Sequence, residues 1–151
     1  MADQLIIYTD GAARGNPGPG GYGVILMMGK HYKELSGGYR MTTNNRMELM
    51  AVIMALKQLK RDGMDILIYT DSAYVVNAVE KGWLYNWLKT GFKGKKNADL
   101  WREYYNLAQK HKVRFQWVKG HADNPYNNKC DALATRAADG NNLLIDTGYE
   151  G

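Results

Sequence analysis

The 151-residue chain lacks the features that mark exported, membrane-spanning and cysteine-rich proteins. Its single cysteine, Cys130, excludes an internal disulfide bond and any zinc site built from several cysteines. No stretch approaches the roughly 18 consecutive apolar residues of a membrane-spanning helix, and the N-terminus MADQLIIYTD has neither the basic nor the apolar region of a signal peptide. We therefore expect a soluble, cytoplasmic protein that does not enter a membrane.

The sequence also shows no linker and no second domain. Hydrophobic residues make up 45% of the chain, which is enough for one compact core and excludes a disordered or fibrous protein. We expect a single monomeric domain over residues 1–151. From residue 140 to residue 151 no pattern is evident, and we expect a flexible C-terminal tail there.

Charge is present but unevenly distributed. The formal net charge is +5, which favours an anionic partner, although many basic proteins are only well solvated. The segment from Lys81 to Ala98 contains five lysines and no acidic residue. A good part of the excess charge is therefore concentrated in one segment.

Two short apolar segments in the sequence end in aspartate. QLIIYT is followed by Asp10 and Gly11, and DILIYT is followed by Asp71 and Ser72. Each segment has the apolar, β-branched composition of a buried strand. The sequence therefore predicts two buried strands, each with an aspartate where the chain leaves the core.

Strand and helix patterns fill most of the remaining chain. The turn-rich segment GNPGPGGYG follows the first strand, and a helix with three candidate caps, Thr43, Asn44 and Asn45, leads to DILIYT. Before the last helix, residues 119–128 have the composition of a loop. We predict strands over 4–9, 24–28, 31–41, 65–70 and 113–118, and helices over 43–61, 72–82, 83–89, 98–112 and 129–138.

The order of these elements predicts the fold class. Three strands linked by turns form an antiparallel meander, whereas a helical crossover between two strands of one sheet implies that they are parallel. We expect an α/β fold with a single five-stranded mixed sheet and helices on both faces.

The acidic residues differ in how well a structural role explains them. Asp10 before glycine is common turn chemistry, and Asp71 with Ser72 matches a helix N-cap. Glu48 is harder to explain, because it lies on an apolar stripe of its helix with Val52 and has no lysine or arginine near it on that stripe. A buried, unpaired carboxylate is costly, and a metal ion would balance its charge.

Asp131 is a fourth candidate for the same site. Ala134 and Ala138 mark a closely packed face of its helix, so we expect this carboxylate to point inward. Four clustered carboxylates repel one another unless hard divalent cations bind them, and Mg²⁺, with Mn²⁺ as an alternative, fits such ligands. Two such ions roughly 4 Å apart favour phosphodiester hydrolysis. The predicted catalytic metal ligands are Asp10, Glu48, Asp71 and Asp131.

Five blocks of the sequence resemble, in the same order, those of the bacterial ribonuclease H type 1 family. They are TDGAARGNPGPGGYG, TTNNRMELMA, YTDSAYV, WVKGHADNP and CDALA, and they extend over about residues 4–138. The resemblance implies a ribonuclease H-like fold and an endonuclease that cuts the RNA strand of an RNA/DNA hybrid. It also implies that the same four carboxylates bind the metal ions and that His121, in the KGH block, assists catalysis.

The resemblance also implies a set of substrate-binding residues. Asn16, Asn44 and Asn45 match residues that contact the hybrid near its 2′-hydroxyls and base edges. Side-chain amides both donate and accept hydrogen bonds, as a 2′-hydroxyl does, so they suit this role. Thr43 and Asn97 match residues that hold a phosphate of the DNA strand. The alternative, that Asn44 and Asn45 only cap the helix, stays open here.

The lysine-rich segment over 81–96 resembles the basic protrusion with which the family grips the DNA strand. Lysines neutralise phosphates, and aromatic faces pack on sugars or bases. The alternative is a solvated loop with core tryptophans, and we leave Trp87 undecided. The predicted substrate-binding residues of this segment are Trp83, Lys89, Lys93, Lys95 and Lys96.

Three positions depart from the family pattern. Ala73 stands where many relatives have a glutamine that contacts the substrate, and Asn128 stands where relatives often carry an acid near the metals. Met41 occupies a place often held by an arginine near the DNA phosphate, where Arg40 and Arg46 are candidates to compensate. These departures concern affinity and not the four carboxylates.

Three functions are compatible with an acid cluster in such a fold. The first is hydrolysis of the RNA strand of a hybrid, with 3′-hydroxyl and 5′-phosphate ends because the 3′-oxygen leaves as water attacks in line. The second is a DNA-directed phosphoryl-transfer enzyme of the same broad fold, but such enzymes lack the GNPGPGGYG and TTNNRMEL blocks. The third is a catalytically silent hybrid-binding module, which would be favoured if a carboxylate were replaced. All four carboxylates are present, so we expect the first.

Overall fold

The computed structural model describes residues 4–119 and 124–149. The strands are β1 (Leu5–Ala13), β2 (Gly18–Met28), β3 (His31–Thr42), β4 (Asp65–Thr70) and β5 (Lys112–Trp117). The helices are α1 (Asn44–Lys57), α2 (Ala73–Glu80), α3 (Trp83–Lys89), α4 (Ala98–Ala108) and α5 (Pro125–Ala138). None of the helices within these residues is long and apolar enough to cross a membrane.

The strands form one mixed sheet in the order β3-β2-β1-β4-β5. β2 pairs antiparallel with both β1 and β3, whereas β4 pairs parallel with both β1 and β5. Short turns join the antiparallel strands, whereas the chain reaches the two strands with parallel pairing, β4 and β5, through helices. The predicted five-stranded mixed sheet is confirmed.

Helices cover both faces of this sheet. A side chain added at Gly20 would meet Met47 of α1, whereas one added at the next residue, Gly21, would overlap the backbone of α5 at Ala134. Because successive residues of a strand point to opposite faces, α1 and α5 lie on opposite sides. The predicted covering of both faces is therefore confirmed.

The core lies mainly between the sheet and the α1 side. In β4, Ile66, Ile68 and Thr70 are buried and alternate with half-buried residues, as expected of a strand with one face on the core. Trp101 of α4 is fully buried, and its indole Nε1 donates to the hydroxyl of Tyr74 at 2.8 Å. This packing ties α2 and α4 together beside the ends of β1 and β4.

The first two strands are longer than the sequence predicts. β1 does not turn at Asp10 but continues to Ala13, because β2 pairs with it as far as Gly20. The glycine-rich segment expected to form a turn contributes the start of β2, from Gly18. Its glycines are used in the strand, where Gly21 and Gly23 leave room for α5.

Four helices also differ from their predicted bounds: α2 spans Ala73–Glu80 and not 72–82, and α4 ends at Ala108 and not at residue 112. α1 ends at Lys57 and not at residue 61. α5 begins at Pro125 and not at residue 129, because the side chain of Asn124 accepts hydrogen bonds from the backbone N–H groups of Tyr126 and Asn127. A capping asparagine followed by proline is a strong helix start.

The C-terminal segment contacts the sheet. Where the sequence predicts a flexible tail, the structure places residues 140–149 beside β3 and α1. The backbone N–H of Leu144 donates to the carbonyl of Gly38, and that of Arg40 donates to the carbonyl of Leu144. Asp146 is buried against Arg46 of α1. These long-range contacts, which no local pattern reveals, account for this placement.

Candidate active site

Three acidic side chains converge at one end of the sheet. Carboxylate oxygens of Asp10, Glu48 and Asp71 lie within 4.8 Å of one another. Asp10 is in β1 and Asp71 directly follows β4, and the parallel register that pairs Thr9 with Thr70 sets the two aspartates side by side. The structure therefore brings together residues far apart in the chain.

A glycine places Glu48 in this group. An added Cβ at Gly11 would overlap the backbone of Met47 and Glu48, so the start of α1 rests directly on β1. This approach sets the Glu48 carboxylate beside that of Asp10. The sequence carries a signal for it, because a glycine inside a strand often marks a close approach of another backbone segment.

A second glycine places Asp131 near the group. Asp10 pairs in register with Gly23, where an added Cβ would overlap the carbonyl oxygen of Cys130 in α5. Asp131, the next residue, is half-buried, and its charge acts on Asp10. Among the described residues, the group of acids within 4.8 Å does not include it, so Asp131 lies beside the three and not among them.

Burial disfavours ionisation of two of these carboxylates, those of Asp10 and Glu48. Burial raises the pKa of Asp10 to about 7; the charges of Asp71 and Asp131 add to the rise, and hydrogen bonds with Glu48 and Gly11 oppose it. Burial, with the charge of Asp10 next, raises the pKa of Glu48 well above its usual value. One oxygen of Glu48, Oε1, is buried and has no hydrogen-bond partner among the described residues.

The structural roles weighed for the two strand-end aspartates do not account for them. Ser72 caps α2 by accepting from the backbone N–H of Val75, so Asp71 is not the cap. The N–H of Gly11 does donate to Asp10 at 2.9 Å, but both residues lie inside β1 and not in a turn. Both carboxylates instead belong to the acidic group with Glu48.

Asparagines line the cleft next to the acids. A cleft of about 330 Å³ is bordered by the three acids and by Asn44 and Asn45. The side-chain oxygen of Asn16 accepts from the backbone N–H of Asn44 at 2.8 Å, and that of Asn44 accepts from the N–H of Ala13. The helix cap is Thr43, so the capping alternative for Asn44 and Asn45 is not what the structure has.

The sequence also matches a family of known proteins. The sequence model of RNase H matches residues 2–139. The chain belongs to the ribonuclease H family. Ribonuclease H of Syntrophus aciditrophicus is 51% identical over 151 residues, covering 97% of this chain and 87% of that protein. Ribonuclease H of Chlorobium phaeovibrioides is 53% identical over 142 residues, covering 91% and 97% respectively.

Solved ribonuclease H structures have the same fold. LC9-RNase H1, a type 1 RNase H with the type 2 active-site motif, superposes with a TM-score of 0.82 at 30% identity, covering 91% of this chain and 73% of that one. LC11-RNase H1 in complex with an RNA/DNA hybrid has a TM-score of 0.71 at 27% identity, covering 89% and 96%. The resemblance found in the five sequence blocks is confirmed.

Thr43 and Asn97 both form hydrogen bonds with Arg46 in this member of the ribonuclease H family. Thr43 accepts from the backbone N–H of Arg46, and Asn97 accepts from its guanidinium at 3.2 Å. Met41 is 49% exposed, and Arg40 beside it is exposed. Arg46 is 2% exposed and directs its guanidinium into the protein, so it does not replace a phosphate-binding arginine at position 41.

The lysine-rich segment of this ribonuclease H family member divides into core and surface residues. Phe92 is buried, Trp87 is half-buried against it and Trp101, and Trp83 is 42% exposed with Lys81 over its ring. Trp87, which the sequence left undecided, therefore belongs largely to the packing. The exposed lysines of the segment are Lys81, Lys89, Lys93, Lys95 and Lys96.

Three residues that shape the site or its surroundings were not predicted from the sequence, and one predicted residue lies outside the described part of the chain. His121 lies outside the described residues. Gly11 and Gly23, which set the two helices against Asp10, were not predicted, although glycines inside strands were the available signal. Asp146 was also missed, and because its partner Arg46 is a hundred positions away, no local signal points to it.

Proposed function

We propose that this chain hydrolyses the RNA strand of RNA/DNA hybrids at the acidic group. The observation that carries the proposal is the convergence of Asp10, Glu48 and Asp71 with a buried Glu48 oxygen that lacks a partner among the described residues. Membership of the ribonuclease H family supports the same reaction and substrate. Asp131 completes the proposed set of catalytic metal ligands.

The carboxylates fit divalent cations. Oxygen ligands suit Mg²⁺. Burial and the negative charges of neighbouring carboxylates raise the pKa values of Asp10 and Glu48, and a bound cation would relieve the repulsion between these charges. Mg²⁺ is the proposed cofactor, with Mn²⁺ as a substitute. Two bound cations would activate the attacking water and stabilise negative charge on the leaving oxygen at phosphorus.

Hydrogen bonds and burial within the protein orient the carboxylates that would bind the cations. The N–H of Gly11 holds one oxygen of Asp10, which orients its carboxylate, and Glu48 offers its buried Oε1. With water attacking in line, the 3′-oxygen leaves, so the products carry 3′-hydroxyl and 5′-phosphate ends. His121 is proposed, from the family resemblance, to assist water activation or product release.

Recognition of the RNA strand is assigned to Asn16, Asn44 and Asn45. The carbonyl oxygens of Asn16 and Asn44 accept bonds within the protein, so their amide N–H groups are the atoms they offer to a 2′-hydroxyl. A donor at this place favours RNA, because DNA has no oxygen there to accept.

Binding of the DNA strand is assigned to Thr43, Asn97 and the lysine-rich segment. Thr43 and Asn97 would hold a phosphate, and the exposed lysines would neutralise others. Trp83, exposed beside these lysines, would pack on a sugar or base. The lysines assigned this role are Lys89, Lys93, Lys95 and Lys96.

Assembly and location are further parts of the proposal. We assign the chain to the cytoplasm as a monomer. Its single thiol, Cys130, is buried and free, which suits a reducing compartment. Sedimentation at several concentrations tests the monomer, and a concentration-dependent mass would contradict it.

Three end-labelled substrates of one sequence test the function: an RNA/DNA hybrid, an RNA duplex and a DNA duplex, each with Mg²⁺. We expect cleavage of the hybrid alone, in its RNA strand, with 5′-phosphate products. Asp10→Asn serves as the matched inactive control. Cleavage of DNA would favour the phosphoryl-transfer alternative, and binding of the hybrid without cleavage by folded wild-type protein would favour the silent module.

A further inference from the structure

Arg46 is a buried junction between three parts of the chain. A guanidinium has five N–H donors, and here all five find acceptors. Nε and Nη2 donate to Asp146 at 2.7 and 2.9 Å, and Nη1 and Nη2 donate to Asp99 at 2.9 and 2.8 Å. The remaining Nη1 donor reaches Oδ1 of Asn97 at 3.2 Å. Arg46 therefore links α1, the start of α4 and the C-terminal segment.

The C-terminal segment contacts this junction through Asp146 and Gly148. Asp146 is 7% exposed, and its Oδ2 accepts from the hydroxyl of Thr42 at 2.7 Å as well as from Arg46. At Gly148 an added Cβ would overlap the carboxylate of Asp99, so the segment lies directly on the ion pairs. Burial alone would lower the pKa of Arg46, but hydrogen bonds to Asp99 and Asp146 outweigh it and raise the pKa.

The junction decides which way the Asn97 amide faces. Its oxygen points to Arg46, so its nitrogen points away and donates to the hydroxyl of Tyr74 at 3.1 Å. The amide nitrogen carries two N–H groups; one donates to Tyr74, and the other is available to donate to an anion such as a phosphate. With the amide rotated by half a turn, its oxygen would face the anion and repel it. Asn97 is thus a phosphate donor only in the orientation that Arg46 imposes.

We propose that Asp146 is a positioning residue for hybrid binding, because it holds Arg46 in the place that orients the Asn97 amide toward a backbone phosphate. The inference rests on the proposed function, in which Asn97 binds the substrate. Asp146 itself does not touch the substrate or the acidic group. Its loss is therefore expected to weaken substrate binding and to leave the chemical step unchanged.

A double-mutant cycle tests this role. Asp146→Asn keeps the size of the side chain but removes the charge that holds Arg46. We expect KM for the hybrid to rise at least about tenfold with kcat unchanged, a loss typical of one hydrogen bond to a charged group. Asn97→Ala is expected to raise KM by a similar factor. If Asp146 acts through Asn97, adding Asp146→Asn to Asn97→Ala raises KM no further.

Stability is controlled with a variant remote from the junction. Ile66→Val removes a buried methylene at the start of β4, at the opposite end of that strand from Asp71, and is expected to lower the melting temperature without changing KM. Arg46→Lys serves as a second variant that keeps the charge. A lysine ammonium cannot reach Asp146, Asp99 and Asn97 together, so KM should rise as for Asp146→Asn.

The outcomes separate this inference from the proposed function. Direct binding of a labelled hybrid in Ca²⁺ is measured beside cleavage for every variant, well below its melting temperature. If wild-type protein binds and cleaves the hybrid but the two substitutions raise KM independently, or Asp146→Asn lowers only kcat, the positioning role is wrong. If wild-type protein neither binds nor cleaves the hybrid, the proposed function is wrong, and the inference that rests on it is wrong too.

Discussion

At the scale of single residues, burial controls the charge of the acidic group. Asp10 is 5% exposed and Glu48 is 9% exposed, and both have raised pKa values. A carboxylate whose pKa is higher in the folded than in the unfolded protein binds an extra proton when folded. The contribution of Asp10 to the stability of the metal-free protein therefore falls as pH rises from about 4 through about 7.

Replacing Asp10 separates activity from stability. Asp10→Asn is expected to abolish hybrid cleavage, because a neutral amide is a poor ligand for Mg²⁺. It should also stabilise the metal-free protein by roughly 1–3 kcal/mol near pH 8, where Asp10 is ionised, and have little effect near pH 4. Urea unfolding in EDTA at both pH values measures this. A variant that is less stable than wild type near pH 8 would contradict the repulsion argument.

The same pKa shift predicts how metal binding depends on pH. Cations bind the deprotonated carboxylates, so affinity for Mg²⁺ should fall as pH drops through about 7, by up to about tenfold per unit. Calorimetric titration at several pH values checks this, and the heat should depend on the buffer because protons are released. An affinity that does not change between about pH 6 and pH 8 would show that Asp10 has an ordinary pKa in solution.

At the scale of elements, glycines in the strands determine how closely the helices approach. The effect can be tested at Gly23, where a methyl group would overlap the Cys130 carbonyl and push α5 from β2. We expect Gly23→Ala to lower stability by roughly 1–3 kcal/mol and to reduce kcat, because Asp131 moves away from Asp10. Thermal unfolding and steady-state kinetics measure the two effects.

A second glycine, Gly140, serves as a control, because a methyl group added there does not overlap a neighbouring helix. At Gly140, just beyond α5, the nearest atoms to an added Cβ lie at 3.3 Å, which a small shift accommodates. Gly140→Ala should therefore change neither kcat nor stability appreciably. A reduction of kcat at Gly140 equal to that at Gly23 would remove the close-approach explanation.

At the scale of the whole molecule, much of the excess positive charge is concentrated in the exposed lysine-rich segment. Four exposed lysines of the segment, at positions 89, 93, 95 and 96, are expected to neutralise phosphates. Replacing them with glutamine should reduce the salt dependence of hybrid binding by about one unit of slope for each phosphate that a lysine no longer neutralises. Binding measured over a range of salt concentrations gives the slope.

An equal change of net charge elsewhere is the control. Lys30, Lys60, Lys110 and Lys112 are also exposed, and none of them belongs to the lysine-rich segment or borders the cleft. Replacing these four with glutamine lowers net charge equally, but it should leave the slope nearly unchanged. Equal slopes for the two sets would mean that the segment is not part of the binding surface.

Much of the fold and of the site was predictable because it depends on local patterns. The apolar β-branched segments marked the strands of Asp10 and Asp71, and the apolar stripe marked Glu48 as an acid facing the interior. The order of elements implied the mixed sheet, since hairpins and helical crossovers fix strand direction. The sequence blocks implied the ribonuclease H family.

What only the tertiary structure decided depends on residues distant in the chain. Local periodicity reports which side chains are buried, but the distance between Asp10, Glu48 and Asp71 follows from strand register and from how closely a helix packs at Gly11. The segment after residue 140 shows this most plainly. Backbone hydrogen bonds at Leu144 and the buried ion pair between Asp146 and Arg46 hold it against β3 and α1, and such contacts leave no trace in the local sequence because they form only once the chain has folded.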